Sequence, residues 1–216
     1  QFCPDDSLVK TKTTGYITKL QDQDSELDIL SIFSKNTRQQ IKRSIKLLES
    51  RDSLNLVAAQ NAEEYFDEIC EKHIEQWGDS RWGSGFENPL FCQFHKHLHK
   101  NQKTQMLKLE IGGQPIAFGY YFLYKKKVSF YLSAIEKYDD NRIKVGLVFH
   151  YMAMNYFQQQ GFESYDFLGG DARYKKSMST SSYTLYSWYL EQKNMFSLLK
   201  NTILRIRNKF NQSEEK

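Results

Sequence analysis

The sequence predicts a mixed α/β fold in which a sheet containing an antiparallel meander is flanked by helices. Three strand-like runs joined by tight turns predict the meander, at residues 106–111, 115–124 and 128–135. A glycine pair between the first two runs permits the positive φ angles of a tight hairpin. The middle run is apolar on both faces, so helices should cover both sides of it. Segment Lys144–Gln160 is apolar almost all round, which indicates a helix sandwiched between other elements.

The first 50 residues predict a short strand at Gly15–Leu20 and a helix at about Asn36–Glu49. Asn36 and Gln39 have the spacing of a capping-box variant. Apolar side chains follow helical spacing on one face, and the other face is basic: Lys35, Arg38, Lys42, Arg43 and Lys46. A solvated surface explains this basic face, as does contact with an anionic substrate or with a missing half of the protein. One interpretation of residues 1–50 is the remnant of a preceding half-domain.

Residues 51–192 predict the main domain, which begins with a strand at Leu54–Ala59 and a helix at Ala62–Gln76. The expected inward side chains of that helix are Tyr65, Phe66, Ile69, Cys70, His73 and Trp77. The turn-rich segment 78–89 has the length of a lid or binding loop. A helix at 90–99 precedes the meander, and 183–190 predicts the last strand. We expect a basic amphipathic helix and tail at 193–216.

Cys92, His95 and His99 share one face of the second helix, at a spacing that metal ligands also use. No second cluster in the sequence supplies a fourth ligand, and lone helical His and Cys residues usually pack or face solvent. We therefore predict no metal site.

The charge balance of the chain is only mildly basic. Thirty basic and 26 acidic side chains give a net charge of +4, which is too mild to indicate a DNA-binding protein. Anionic small molecules remain compatible with this charge.

Cysteine usage indicates a reducing compartment, because the chain has three cysteines and no C-x-x-C spacing. No apolar run reaches the ~18 residues of a transmembrane helix, and no signal peptide is visible. We expect a cytoplasmic protein without a transmembrane segment. The chain begins at Gln1 and soon enters a strand-like segment, so we interpret it as a portion of a longer protein.

Segment 140–178 organises the rest of the chain. Its polar loop opens into the apolar helix, where Gly146 lies in the first turn. Unpaired N–H groups and the helix dipole make such a turn suitable for a phosphate. We therefore predict cofactor binding at the backbone of Lys144, Val145, Gly146 and Leu147. The helix stops at Gly161, and a strand at Tyr165–Leu168 follows, then the turn Gly169-Gly170-Asp171 and the run Arg173-Tyr174-Lys175-Lys176.

This pattern resembles the GNAT acyltransferase superfamily and, within it, the branch of Fem-type transferases and CelD-like proteins of polysaccharide operons. The resemblance covers roughly residues 15–190, and a basic helix around 34–43 forms part of it. Its most specific part is the Asp-Phe-Leu-Gly strand end at 166–169 followed by Tyr174-Lys175. The usual acyl-CoA signature, Gln/Arg-x-x-Gly-x-Gly/Ala, keeps only Gly146, because Ile143 and Val148 stand at its first and last positions.

The resemblance implies an N- or O-acyltransferase that takes acetyl-CoA or another acyl-CoA as donor and a small molecule or saccharide as acceptor. It also implies that the strand at Phe130–Ile135 splays from its neighbour and offers backbone donors to the thioester. No Ser-His-Asp or Cys-His set is legible in the sequence. Direct transfer is therefore favoured over a covalent intermediate.

Three side chains are candidate catalysts. Glu136 follows the splayed strand and is a candidate base, although an exposed loop glutamate is the commoner interpretation. Asp166 lies inside an apolar strand, where burial favours a base, but a structural carboxylate that accepts loop N–H groups fits equally. Tyr174 can donate a proton to a leaving thiolate or alkoxide, with core packing as the alternative. Arg173 and Lys175 are candidates for holding an anionic group of the acceptor or donor, or form a solvated basic turn.

Two other functions remain open. A Fem-type aminoacyl-tRNA-dependent transferase of peptidoglycan synthesis would share the fold, but those enzymes usually carry a long helical arm that is not evident in these 216 residues. A catalytically silent GNAT-like binding module would fit the eroded glycine signature.

Overall fold

The computed structural model describes residues 8–21, 28–59, 62–78 and 87–190. Residues 14–183 form one compact unit. The other unit comprises residues 1–13 and 184–216. Its described residues, 8–13 and 184–190, continue the first and last strands.

The described residues contain seven strands and six helices. The strands are β1 Leu8–Lys19, β2 Leu54–Ala58, β3 Thr104–Ile111, β4 Gln114–Tyr124, β5 Lys127–Ile135, β6 Ser164–Gly169 and β7 Ser181–Leu190. The helices are α1 Ile29–Ile32, α2 Lys35–Glu49, α3 Ala62–Trp77, α4 Pro89–Lys100, α5 Val145–Gln159 and α6 Arg173–Ser177. All seven strands form one mixed sheet in the order β2-β3-β4-β5-β6-β1-β7, which confirms the predicted fold class.

The meander forms as predicted. β3 pairs antiparallel with β4, and β4 pairs antiparallel with β5. Gly112 and Gly113 make the first hairpin at φ +55° and +79°, a conformation that glycine adopts without steric cost. The central residues of β4 are buried on both faces, from Ile116 to Tyr121.

Helices cover both faces of the meander. α5 and α2 pack together on one face, where Phe149, Met154 and Phe157 of α5 are fully buried. The prediction of a sandwiched helix is confirmed. On the other face, α3 and α4 cover a second buried cluster that includes Phe66 and Tyr120. The sheet therefore has two distinct cores, one on each side.

Three local predictions need correction. β1 begins at Leu8 rather than Gly15 and pairs antiparallel with β6, so this segment belongs to the main sheet. Ser34, not Asn36, caps α2, because its hydroxyl accepts the Thr37 N–H at 3.2 Å. Trp77 is 45% exposed rather than inward, because it is the last residue of α3 and the buried cluster on this face ends at Ile74.

Two predicted segments lie outside the described residues: most of the loop at 78–89 and the C-terminal helix at 193–216. Within the described part of the chain, no helix combines the length and the apolar character needed to cross a membrane.

Candidate active site

The parallel strands β5 and β6 separate after a short pairing, and this opens a cleft in the sheet. Only three residues of each strand pair, Lys127–Ser129 with Ser164–Asp166. β5 then continues to Ile135 and β6 to Gly169 without further pairing between them. The open edge of β5 is therefore the segment 130–135, where the resemblance implied a splay.

A β-bulge in β5 marks the point where the strands part. Tyr120 of β4 pairs with Leu132 and Tyr121 pairs with Phe130, so Tyr131 is the extra residue. A bulge shifts the alternation of side chains by one residue. Phe130 accordingly packs in the core beneath α5, whereas Leu132 packs in the core beneath α3.

The end of β5 lines a surface cleft of about 500 Å³, whose other walls are the end of α3 and the start of β4. The Ile135 N–H donates to Gln76 Oε1 of α3 at 3.1 Å. Glu136 follows directly and is exposed on the cleft wall beside Lys137. This cleft offers a carboxylate, an amide and a lysine to a polar ligand.

The start of α5 leaves two backbone donors open. The N–H groups of Leu147 and Val148 both donate to Lys144 O, at 3.0 and 3.2 Å, but no side chain caps the helix. The N–H groups of Val145 and Gly146 have no partner within the described ranges. Ser44 of α2 accepts the Lys144 N–H at 2.9 Å and so fixes this turn against α2.

The predicted cofactor turn abuts the open strand. A Cβ atom added to Gly146 would lie 3.3 Å from Cδ1 of Ile135. Ile143 and Val148, which replace the usual signature residues, are buried in the core. The side chain and backbone N–H of Arg142 donate hydrogen bonds to the Asp140 carboxylate, the shortest from Nη2 to Oδ2 at 2.8 Å. These hydrogen bonds lower the pKa of Asp140 to about 2.

Asp166 is buried and its carboxylate accepts hydrogen bonds from several donors. Tyr183 OH donates to both of its oxygens at 2.9 Å, and the Leu168 N–H donates to Oδ1 at 2.8 Å. Lys127 Nζ lies 3.4 Å from Oδ2. These contacts are those of the structural alternative, a carboxylate that accepts loop N–H groups.

The end of β6 has an unusual backbone. Gly15 of β1 pairs with Gly169 and Ile17 pairs with Asp166, so β6 carries an extra residue here. Leu168 adopts φ +58°, a left-handed conformation that costs a non-glycine residue roughly 1 kcal/mol or more. The hydrogen bond from Leu168 to Asp166 therefore offsets local strain.

Tyr174 of α6 packs on the opposite face of β6 from Asp166. Its ring stacks on His150 of α5, with centroids 5.2 Å apart and planes at 10°, and it meets Phe167 edge-on. Burial raises the pKa of Tyr174 to about 12. The hydroxyl stays protonated at neutral pH, and it has no hydrogen-bond partner among the residues that the structure describes.

His150 belongs to a buried polar network between α5 and the sheet. Its Nδ1 lies 2.8 Å from Tyr165 OH, which in turn donates to Tyr121 OH at 3.4 Å. Burial and the nearby Lys175 charge lower the pKa of His150 to about 3. The imidazole is therefore neutral and supports Tyr174 by packing.

Lys175 is half-buried and closes the strand end. Its Nζ donates to the carbonyl oxygens of Phe167 and Gly169 at 2.9 and 2.7 Å. Burial lowers its pKa, and Asp166 partly opposes that shift. Arg173 is exposed at the start of α6 and makes no polar contact with a described residue.

The predicted site residues fall into two groups. Glu136 and the α5 start flank the end of β5, whereas Asp166, Tyr174 and Lys175 surround the end of β6. Asp166 and Tyr174 are separated by β6 itself, because successive side chains of a strand point to opposite faces.

Sequence reasoning missed Gln76, His150 and Tyr183. A histidine in the middle of an almost wholly apolar helix was a readable signal for His150. Tyr183 meets Asp166 from another strand, and Gln76 reaches β5 from the last turn of α3. No local sequence pattern reports such contacts.

The Cys92, His95 and His99 face of α4 has other partners. His95 Nδ1 lies 3.2 Å from Tyr120 OH, and His99 Nδ1 lies 2.7 Å from Thr104 Oγ1. The two histidines thus join α4 to the sheet. No group of three or more metal-ligating side chains occurs among the described residues.

Residues 35–176 match the protein family described as "Acetyltransferase (GNAT) domain". No curated protein sequence matches the chain.

Solved structures share the fold at low sequence identity. FemX superposes with a TM-score of 0.57 at 12% identity, covering 86% of this chain and 63% of FemX. The C-terminal domain of a putative lysylphosphatidylglycerol synthetase from Agrobacterium fabrum gives 0.55 at 13% identity, over 93% of this chain and 67% of that one. L-PGS from Bacillus licheniformis gives 0.52 at 12% identity, over 90% and 65%. The chain thus spans about two thirds of the length of these relatives.

Proposed function

Because the chain belongs to the GNAT acetyltransferase domain family, we propose that it moves an acyl group directly from acyl-CoA to an amine or hydroxyl of a small-molecule or saccharide acceptor. The observation that carries this proposal is the separation of β5 from β6 beyond the bulge at Tyr131. An extended thioester donor fits along an open strand edge, where backbone groups lack a neighbouring strand. Backbone N–H groups along this edge are the proposed donors to the thioester carbonyl.

The α5 start is the proposed site of the donor phosphates. Val145 and Gly146 offer two open N–H groups at the positive end of a 15-residue helix. The half-buried Lys144 side chain adds positive charge to this turn. Because Gly146 lies next to Ile135, a donor bound there is directed onto the open edge of β5.

The cleft at the end of β5 is the proposed acceptor site, with Glu136 as the base. Glu136 takes the proton of the acceptor amine or hydroxyl, whose nitrogen or oxygen attacks the thioester carbonyl. Backbone N–H groups hold the oxyanion that forms. The carbon–sulfur bond then breaks, and the leaving thiolate takes a proton from Tyr174. Proton exchange with solvent then deprotonates Glu136 and reprotonates Tyr174, which restores both groups.

Asp166 and Lys175 are assigned to ordering the end of β6 on which Tyr174 depends. Asp166 fixes the Leu168 turn, and Lys175 ties two carbonyl groups of the strand. Arg173 is exposed beside them and is the proposed contact for an anionic group of the donor or acceptor.

One observation favours a second candidate, an aminoacyl-tRNA donor of the kind that Fem-type enzymes use. None of the five basic side chains of α2 forms an ion pair with a described residue, so this face is open to a polyanion. The two donors differ in charge and size, and calorimetry separates them.

Titration calorimetry with acetyl-CoA, followed by a free-thiol release assay with mixed amine and hydroxyl acceptors, tests the proposal. Binding with acceptor-dependent thiol release supports an acyl-CoA transferase. Absence of acetyl-CoA binding favours the aminoacyl-tRNA donor. Binding without release by any acceptor supports a silent binding module.

A further inference from the structure

Among the described residues of the 14–183 unit, the exposed large apolar side chains lie on the α3 and α4 side of the sheet. They are Trp77 at 45% exposure, Leu90 at 74%, Phe94 at 57%, Tyr124 at 66% and Tyr131 at 38%. Single exposed apolar residues are normal on a surface, but their concentration on one side indicates an interaction surface.

Helix α4 departs from the usual pattern of a surface helix. Leu90, Phe94 and His97 follow each other at spacings of four and three residues and are all exposed, so they form one outward stripe. Outward faces of surface helices normally carry charged side chains of both signs. α4 contains no acidic residue, whereas the neighbouring α3 contains six.

The exposure of this stripe is enforced by the packing of the opposite face of α4. His95 is buried among aromatic rings, with centroids 4.3 Å from Phe91 and 5.3 Å from Tyr131. Its hydrogen bond to Tyr120 fixes the rotation of the helix. Phe94 therefore cannot turn inward without removing His95 from its site.

Lysines border the apolar stripe at one end. The Leu123 N–H donates to Lys103 O at 2.8 Å, which places the turn before β3 beside the turn between β4 and β5. Lys103, Lys125 and Lys126 are all exposed there. Lys125 lies 5.5 Å above the ring of exposed Tyr124, whereas Lys126 pairs with Glu163 at 3.5 Å. The turn therefore presents Tyr124 together with the cations Lys103 and Lys125.

We propose that α4 and the β4–β5 turn bind the surface of a membrane that contains anionic phospholipids. An amphipathic helix with aromatic and aliphatic side chains on one face inserts shallowly at the headgroup boundary. Lysines near that boundary add electrostatic attraction to anionic headgroups, and their alkyl chains accommodate the apolar layer. Because α4 has no acidic residue, it would not repel anionic headgroups and would not attract a basic protein. An anionic membrane is therefore favoured as the partner.

Vesicle co-sedimentation of the 216-residue chain tests this binding. The probes are vesicles of phosphatidylcholine alone and of phosphatidylcholine with about 30% phosphatidylglycerol. We expect sedimentation with the anionic vesicles only. The sedimented fraction should fall when NaCl rises from about 0.1 M to about 0.5 M. The double variant Leu90→Ser, Phe94→Ser and the double variant Lys103→Glu, Lys125→Glu should each lower the partition coefficient about tenfold or more.

The matched control is the double variant Lys19→Glu, Lys176→Glu, which makes the same change of charge at exposed lysines of β1 and α6. It should bind vesicles within about twofold of the unchanged chain. Circular dichroism melts check that every variant is folded. Failure to sediment with anionic vesicles, or equal losses in the control with Lys19 and Lys176 changed, would overturn the proposal. So would a dimer in analytical ultracentrifugation that the Leu90 and Phe94 changes dissociate, since a second copy would then cover this surface.

Discussion

The two strands that part within the sheet, β5 and β6, end in opposite ways. At the end of β6, Asp166 is buried among hydrogen-bond donors and Lys175 ties two carbonyl groups. At the end of β5, the Ile135 N–H meets only an exposed glutamine side chain, and Glu136 faces solvent. The strand end with the more specific sequence motif is thus held by internal hydrogen bonds, while the plainer one is open to solvent. We therefore propose that β6 is the scaffold and that β5 meets the substrate.

Accessibility and hydrogen bonding explain this division of roles. A base must approach the acceptor proton within hydrogen-bond distance, and Glu136 can do so from the cleft wall. Asp166 would have to give up a bond from Tyr183 or Leu168 before it accepted a proton. Losing the Leu168 bond would also release the strained turn of β6.

Removal of the proposed base should lower activity most. Glu136→Gln keeps the shape of the side chain but cannot take a proton, so kcat should fall by about 10²- to 10⁴-fold. The change should alter the free energy of unfolding by less than ~0.5 kcal/mol, because the residue is exposed. Thiol release under saturating donor measures kcat, and Glu71→Gln, an exposed glutamate of α3, is the matched control. If Glu136→Gln keeps the full rate, Glu136 is not the base.

The scaffold role of β6 predicts a large loss of stability. Asp166→Ala leaves the Leu168 N–H and the Tyr183 hydroxyl without their acceptor, which should lower the free energy of unfolding by about 3 kcal/mol. This corresponds to a fall in Tm of roughly 10 °C for a chain of this size. Asp166→Asn retains one acceptor oxygen for Leu168 and should lose less than half as much. A melt of Asp166→Ala that matches the unchanged chain would contradict the scaffold assignment.

The pH dependence of stability tests whether His150 is neutral in the core between α5 and the sheet. The pKa of His150 is lowered from 6.5 to about 3 by burial, so below pH 6.5 the unfolded chain binds a proton that the folded chain excludes. Stability is therefore complete above 6.5 and is lost as pH falls towards 3, by about 1.4 kcal/mol per pH unit. His150→Phe should remove this slope in denaturant titrations compared across pH. Identical slopes in the two proteins would mean that His150 is not held neutral.

The smallest effect concerns the proposed phosphate end. Gly146→Val places branched carbons between the α5 backbone and Ile135, where a single Cβ already lies at 3.3 Å from Cδ1. The affinity for acetyl-CoA should fall about tenfold, by loss of close approach to the backbone N–H groups. Calorimetry measures the change. Unchanged affinity with intact folding would move the phosphates away from α5.

Local patterns were sufficient to predict most of the architecture. Alternating and doubly apolar runs predicted the meander, and the apolar helix after the polar loop predicted the sandwiched α5. These elements form where apolar side chains are buried, and the spacing of apolar residues in the sequence shows which positions are buried. The longer β1 was missed because its residues 8–14 are polar in part, so no alternation of apolar and polar side chains marks them as a strand.

The arrangement of the candidate site depended on long-range contacts. The prediction grouped Asp166, Tyr174 and Lys175 because they are close in sequence, but strand alternation separates Asp166 from Tyr174. The partners that decide their roles, Tyr183 and His150, come from β7 and α5. Such contacts arise from the fold and leave no spacing in the sequence.

The most direct test of the account compares kcat per folded molecule for Glu136→Gln and Asp166→Asn in the same thiol release assay. Folded fractions are taken from melts of each variant. We predict that Glu136→Gln loses about 10²-fold or more, while Asp166→Asn stays within about threefold of the unchanged chain once it is corrected for unfolded protein. The reverse result, a fully folded Asp166→Asn that is inactive beside an active Glu136→Gln, would place the chemistry at the end of β6 and contradict the account.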